Sequence, residues 1–295
     1  MWGARKLMVG MVAGWLCVAG FAGPAWAAEG ATAQGKAAEG TTAGSKTPDG
    51  KTADGTTQGS ATADGKWVDG KTVSYKSGDE TVSGMLYVPA GNGPFPALIV
   101  IHEWWGLNDW VKEQAAKLAE QGYVALAIDL YRGKVGDTPE VAHELMRGLP
   151  EDRAKRDLMA AFDFLATNPR VKKGRIGAIG WCMGGGYALD AAIAEPGLAA
   201  AVINYGRLAT DPEILRKIRA PILGSFGGQD KGITPEDVKK FQAAMESIGK
   251  KVEIKIYPDA GHAFENSSNK QAYRADDAAD AWQRTLTFLA ATLKK

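Results

Sequence analysis

The chain has 295 residues, of which 45% are hydrophobic and 23% charged, and its net charge is +1. This is ordinary globular composition. The near-neutral balance gives no sign of a nucleic-acid partner or a polybasic membrane contact.

In chain order, the first feature is not part of a domain. Arg5 and Lys6 precede an apolar run from Leu7 to Phe21, and Ala25-Trp26-Ala27 supplies a small-x-small cleavage site. The pattern predicts a secretory signal peptide over 1–27, cut before Ala28, and a periplasmic or secreted protein. The apolar run is shorter than the ~20 residues of a membrane-spanning helix. Cleavage removes two basic residues, so Lys+Arg falls from 35 to 33 against 34 Asp+Glu. It also removes Cys17, leaving Cys182 as the one thiol, either buried and inert or kept for chemistry. Residues 28–66 are low in complexity, rich in Gly, Ala, Thr, Lys and Asp, and lack aromatic or large aliphatic side chains. Such a segment buries too little surface to offset its ordering entropy and is expected to be a flexible spacer.

Residues 67–295 suit a single domain. Lys71–Tyr75 and Thr81–Pro89 alternate with period two around Gly78-Asp79, predicting an antiparallel hairpin at a sheet edge. Phe95–Ile101 is a continuous apolar run, as in a strand covered on both faces. A helix capped by Asp109 is expected over 110–121, closed by Gly122, with a buried strand following over 123–128. Helices are predicted over 138–146, 151–166, 183–194, 235–248 and 270–293, the fourth opened by Thr234 and Pro235. Strands are predicted over 175–180, 198–203, 221–226 and 252–257. Alternating strands and helices predict an α/β fold: a mostly parallel central sheet with helices on both faces. A ligand site is then expected at the carboxyl ends of the strands.

Gly180-Trp181-Cys182-Met183-Gly184 closes the strand over 175–180 and opens a helix. This is the layout of a nucleophile elbow, with cysteine where serine usually sits. The flanking glycines allow the tight turn, and the helix N-terminus favours thiolate over thiol. Asp230 follows another strand and His262 a third, giving the order nucleophile, acid, histidine of the α/β-hydrolases. The chemistry needs each residue type. The thiolate attacks a carbonyl carbon, His262 moves the proton, and Asp230 fixes the imidazole tautomer. The plainer readings are a glycine-rich turn with a buried Cys182, a loop histidine at 262 and a turn aspartate at 230. Asp259 is a rival acid but stands too close to His262 in sequence.

His102-Glu103-Trp104-Trp105-Gly106-Leu107-Asn108 follows the first buried strand, where an α/β-hydrolase finds its second oxyanion-hole donor. The backbone N–H groups of Met183 and Trp104 are therefore the expected oxyanion hole. Glu103 is either an acid near the thiol or a salt-bridged loop residue. Trp104, Trp105, Trp110 and Trp181 cluster around these motifs, as core or as the wall of an apolar acyl pocket. Tyr131 and Phe264 are further candidates for substrate contact. His102 and His143 read as structural. No Asp/Glu/His set has metal-ligand spacing, and the elbow lacks a phosphate-loop lysine, so neither metal nor cofactor is expected.

The motifs His-Glu-x-x-Gly-Leu-Asn at 102–108, Gly-Trp-Cys-Met-Gly-Gly at 180–185, Gly-Gly-Gln-Asp at 227–230 and Gly-His-Ala-Phe at 261–264 stand in order at domain spacing. On them the chain resembles the dienelactone hydrolase family, from Lys71 to Lys295. The resemblance implies an α/β-hydrolase fold and hydrolysis of an enol-lactone through a cysteinyl thioester. It makes Cys182, Asp230 and His262 the triad, with Glu103 helping to hold and activate the thiol. Arg132 and Arg207 are candidates for a substrate carboxylate, or are solvated loop charges. Three readings follow: a monomeric, exported hydrolase of small esters or enol-lactones, including a broad carboxylesterase or thioesterase; a peptidase or acyltransferase using the same triad; and an inactive binding protein.

Overall fold

The computed structural model describes residues 59–60 and 68–295. The expected signal peptide over 1–27 lies outside the described residues, as does the 28–66 spacer apart from Gly59 and Ser60. Those two residues form β1 (Gly59–Ser60), which pairs antiparallel with β2 (Val68–Asp69).

The main sheet begins with the expected hairpin, β3 (Lys71–Ser77) and β4 (Glu80–Tyr87), in antiparallel register from Lys71↔Leu86 to Ser77↔Glu80. Gly78 takes φ +59 in its turn, a conformation glycine adopts without steric cost. Then come β5 (Phe95–Ile101), α1 (Asp109–Glu120), β6 (Val124–Ile128), α2 (Pro139–Arg147) and α3 (Glu151–Thr167). The elbow strand β7 (Val171–Trp181) leads into α4 (Met183–Ala194). After it follow β8 (Ala200–Asn204), α5 (Pro212–Leu215), β9 (Ile222–Gly227), α6 (Pro235–Ser247), β10 (Val252–Tyr257) and α7 (Ala275–Leu293).

Four local details differ from the sequence expectation. Asn108, not Asp109, caps α1: its side chain accepts from the Val111 N–H at 3.1 Å, and Asp109 becomes the first helical residue. An acid there still complements the helix dipole. β7 begins four residues early because Val171 pairs with Phe95 before the register shifts between Phe95 and Ala97. α5 was not expected; Asp211 caps it by accepting from Glu213 N, and Pro212 opens it. α7 begins at Ala275 rather than Lys270, since Asn266 and Asn269 accept turn hydrogen bonds and Arg274 N donates back to Phe264 O at 3.0 Å. At α6 the expected opening holds: Thr234 and Asp237 form a capping box.

The eight strands order as β10-β9-β8-β7-β5-β6-β4-β3. β3 and β4 are antiparallel to their neighbours and all other pairs are parallel. α1 and α7 cover one face, packing Trp110, Val111, Phe288 and Leu289 onto Leu98, Val100, Ile179 and Val202. α3, α4 and α6 cover the other, packing Leu158, Leu189 and Phe241 onto Ile99, Ile101 and Ile203. With both faces covered, the central strands are buried along their length and read as continuous apolar runs. Polar chemistry is left to the strand ends, and β5, β7, β9 and β10 all point their carboxyl ends the same way.

Candidate active site

At the end of β7 the backbone turns sharply. Cys182 has φ 55 and ψ −118, a conformation rarely taken by a residue with a side chain, and Met183 already begins α4. The two flanking glycines are required by contact. A Cβ on Gly180 would lie 2.1 Å from Gly184 O, and one on Gly184 would lie 2.3 Å from Ile101 O. The turn is pinned by the Cys182 N–H, which donates to Asn204 O at 3.0 Å. As the first residue of α4, Met183 carries an N–H with no carbonyl partner inside its own helix.

The three residues expected to form the triad meet. His262 Nε2 lies 3.1 Å from Cys182 Sγ, and His262 Nδ1–H donates to Asp230 Oδ2 at 2.7 Å. The Asp230 carboxylate is held on its other oxygen by the N–H groups of Gly232 and Ile233, at 2.8 and 3.0 Å. Burial alone would raise the Asp230 pKa. The His262 imidazole and the two backbone donors outweigh it and hold the carboxyl below its usual range. For His262 burial opposes a charge, but Asp230 and the Cys182 sulfur prevail and push the imidazole up to about 10. A histidine so placed holds a proton between the sulfur and the carboxylate.

The loop after β5 lies against this group. His102 is fully buried and spans two elements: its Nδ1–H donates to Glu103 O at 2.6 Å, and its Nε2 accepts from Leu130 N at 3.2 Å. That pair of bonds assigns the neutral tautomer, and burial lowers its pKa accordingly. The reading of His102 as structural agrees with this clamp, which ties the Glu103–Trp104 segment to the end of β6. An isolated bridge between Gly106 and Val135 adds a second tie. Tyr131 O–H donates to Met183 Sδ at 3.2 Å, and its ring packs edge-on to His102 at 4.8 Å. Tyr131 thus stands between the loop and the elbow. Trp104 and Trp105 are partly exposed and packed edge to face, with His143 of α2 beside Trp104.

Glu103 itself points inward and is buried. Its Oε2 accepts from Asn266 Nδ2 at 2.6 Å, so its hydrogen-bond partner is an amide rather than the thiol. Burial raises its pKa to about 7, against the pull of Asn266, His262 and Tyr205. Tyr205 packs edge-on to His262 with ring centroids 5.2 Å apart. Tyr205, Asn266 and Glu265 form this supporting layer, and the sequence reading did not single them out. Their signal was position: Tyr205 follows the end of β8, and Glu265 and Asn266 come three and four residues after His262.

Several expected substrate contacts are placed elsewhere. Trp181 is buried under α1, its ring edge-on to Trp110 at 5.2 Å and its Nε1–H donating to Glu265 Oε2. It packs with Ile179 on the α1 side of the sheet, because alternate residues of a strand point to the same face. Phe264 is fully buried against Tyr205 and Tyr257. Arg132 is ion-paired with Glu80 and with the buried Asp157, both at 2.7 Å, so its guanidinium is engaged within the fold. Arg207 pairs with Asp190 of α4 at 2.9 Å while more than half its side chain stays exposed.

A doubly wound sheet with a strained cysteine elbow and an acid–histidine pair past later strands defines the α/β-hydrolase class. The comparisons with known proteins narrow it. The profile of the dienelactone hydrolase family matches residues 82–293, and the chain belongs to that family. A Methylorubrum extorquens protein named "Putative carboxymethylenebutenolidase" is 32% identical over 221 residues, covering 70% of this chain and 75% of its own. An Escherichia coli K12 protein of the same name is 34% identical over 211 residues, covering 67% and 77%. A crystal structure of a dienelactone hydrolase homologue from Klebsiella pneumoniae superposes with TM-score 0.69 at 29% identity, over 75% of this chain and 98% of that one.

Proposed function

We propose that the protein hydrolyses small carboxylic esters or enol-lactones through a cysteinyl thioester. The observation that carries this reading is the unbroken chain Sγ···Nε2 at 3.1 Å and Nδ1···Oδ2 at 2.7 Å across three strand ends. Cys182 Sγ attacks the carbonyl carbon, forming the C–S bond while the carbonyl oxygen takes the electron pair. The N–H groups of Met183 and Trp104 receive that oxyanion, each donor being worth about 3 kcal/mol of barrier. As the C–O bond breaks, His262 Nε2 delivers its proton to the leaving oxygen, which in a lactone stays tethered to the acyl group. Water then attacks the thioester, gives its proton to Nε2, and releases the acid and the thiol. Asp230 keeps Nδ1 protonated and balances the imidazolium throughout. Glu103 acts one layer back, through Asn266 and Tyr205 on the position of His262. Trp104, Trp105 and Tyr131 are the side chains that would meet the acyl portion, and Arg207 is the arginine with exposure enough to approach a substrate carboxylate.

Export to the periplasm or beyond is part of the proposal, supported by the 1–27 sequence pattern; N-terminal sequencing of the mature chain beginning at Ala28 tests it. The hydrolysis is tested by following dienelactone absorbance with wild-type protein and Cys182→Ala. Turnover by wild type that vanishes in the variant is the expected result. Equal rates in both would remove the thiol from the mechanism. Cleavage of aryl esters but not dienelactone, by wild type alone, would keep the thiol and discard the lactone.

A further inference from the structure

The loop that carries His262 is strained and is held from behind by two consecutive side chains. Ala263, directly after the histidine, has φ 62, in the left-handed region that a residue with a side chain rarely adopts. A conformation of this kind persists only where the surrounding structure over-determines it. Phe264 is fully buried against Tyr205 and Tyr257, and its carbonyl oxygen accepts from Arg274 N at 3.0 Å. The next two residues then reach out of the loop. Asn266 Nδ2 donates to Glu103 Oε2 at 2.6 Å, which ties the loop to the segment after β5. Glu265 Oε2 accepts from the indole N–H of Trp181 at 3.0 Å, which ties it to the end of β7.

The second tie has a particular place. Trp181 is the residue before Cys182 and Glu265 the third after His262, and 84 positions separate the two in the chain. Their hydrogen bond therefore spans the same two segments as the Sγ···Nε2 contact of 3.1 Å. The indole is not free to follow a moving loop: it is 1% exposed and packed edge-on against Trp110 of α1. Cys182 is fixed in turn by its N–H to Asn204 O. With the elbow side immobile, the bond acts on the loop. We infer that Glu265 is a positioning residue: through Trp181 it holds the His262 loop at the distance at which Nε2 meets the Cys182 sulfur. The inference rests on the hydrolysis proposed above for the reaction that this positioning serves.

The bond needs an acceptor rather than a charge. Glu265 is buried near a second carboxyl, Glu103, and the donor it meets is a neutral indole. Burial and the Glu103 charge push the Glu265 carboxyl up to about 8, against the Trp181 indole and Arg284 of α7, so at pH 7 it is mostly uncharged. Glutamine offers an oxygen in the same place, whereas leucine keeps the shape and removes it.

The rate at which iodoacetamide alkylates Cys182 in the whole protein at pH 7, read at that residue by peptide mass spectrometry, tests the tether without any substrate. A histidine held beside the sulfur favours the reactive thiolate. Glu265→Leu and Trp181→Phe should each slow alkylation about tenfold or more. Glu265→Gln should recover most of the wild-type rate. Each of the first two strands a buried partner and loses stability for that reason alone. The double variant Trp181→Phe/Glu265→Leu removes both partners, so its thermal midpoint should recover towards wild type while alkylation stays slow. Circular dichroism establishes that each variant is folded; if Glu265→Leu is not, the double variant decides. Wild-type alkylation in the double variant would overturn the proposal, as would an unaffected rate in Glu265→Leu, or Glu265→Gln as slow as Glu265→Leu. In ester hydrolysis kcat should fall in parallel with alkylation, and KM should change less than kcat. A wild type that shows the alkylation pattern but hydrolyses no ester overturns the reaction and leaves the tether standing.

Discussion

Along β5, Leu98, Ile99, Val100 and Ile101 are fully buried and wholly apolar; within two residues of its end, His102 and Glu103 are as deeply buried and polar. A similar change occurs at the ends of β6, β8 and β9, where Asp129, Asn204 and Asp230 are buried. The non-glycine residues with positive φ among those described are Arg132, Cys182, Tyr205 and Ala263, and each lies in a loop just past the carboxyl end of a strand. The buried oxygens of Glu103, Tyr205 and Glu265 that lack a hydrogen-bond partner cluster there too. The sheet interior therefore stores stability, while the loop layer spends some of it on strain and buried polar groups that set the geometry of the cysteine. Substitutions in one region should separate cleanly from substitutions in the other.

The largest effect is expected at the acid of the triad. Asp230→Asn keeps the shape but removes the charge opposite His262 Nδ1, and kcat of the folded variant should fall by roughly 10⁴, with some loss of thermal midpoint because the ionised carboxylate is stabilised in the fold. Steady-state kinetics beside a thermal melt checks it, and a loss below tenfold would show that Asp230 does not orient the histidine. In the sheet interior the opposite split is expected. Ile99→Ala removes a fully buried side chain and should cost about 3 kcal/mol of stability by urea unfolding. Its kcat/KM should stay within about threefold of wild type, since the folded fraction keeps the strand ends in place. A collapse of activity in still-folded Ile99→Ala would break the partition between the two regions.

A subtler effect concerns the Glu103 carboxyl, whose pKa is raised from 4.5 to about 7 in the folded chain. The folded state then binds more protons than the unfolded state between these values, so stability falls as pH rises through that window. Above pH 7 the penalty is complete and on the order of 3 kcal/mol, and below about pH 4 it is absent. Glu103→Gln should accordingly be more stable than wild type at pH 8 and nearly equal at pH 4, compared by urea midpoints. Equal midpoints at pH 8 would mean that Asn266 and Tyr205 fully offset the burial. Activity in the same variant should drop less than in Asp230→Asn, because Glu103 bonds Asn266 rather than a reacting atom.

What the sequence determined by itself is the set of features written in local runs. Apolar stretches of strand length, capping residues such as Thr234, and glycines at 180 and 184 specify the order of elements and the elbow, because each depends only on near neighbours in the chain. The order of Cys182, Asp230 and His262 past three strand ends was legible for the same reason. Which way a side chain points, and what reaches it from a distant element, was decided by the tertiary structure. Trp181 looked like part of the site from its place beside Cys182, yet strand alternation sends it beneath α1. Arg132 looked available until Glu80 and Asp157, from two remote elements, closed on it. Glu103 was found by its motif, but its partner Asn266 stands 163 residues away in the chain. No local pattern encodes such pairings, since they arise only when strands distant in sequence are brought side by side in one sheet.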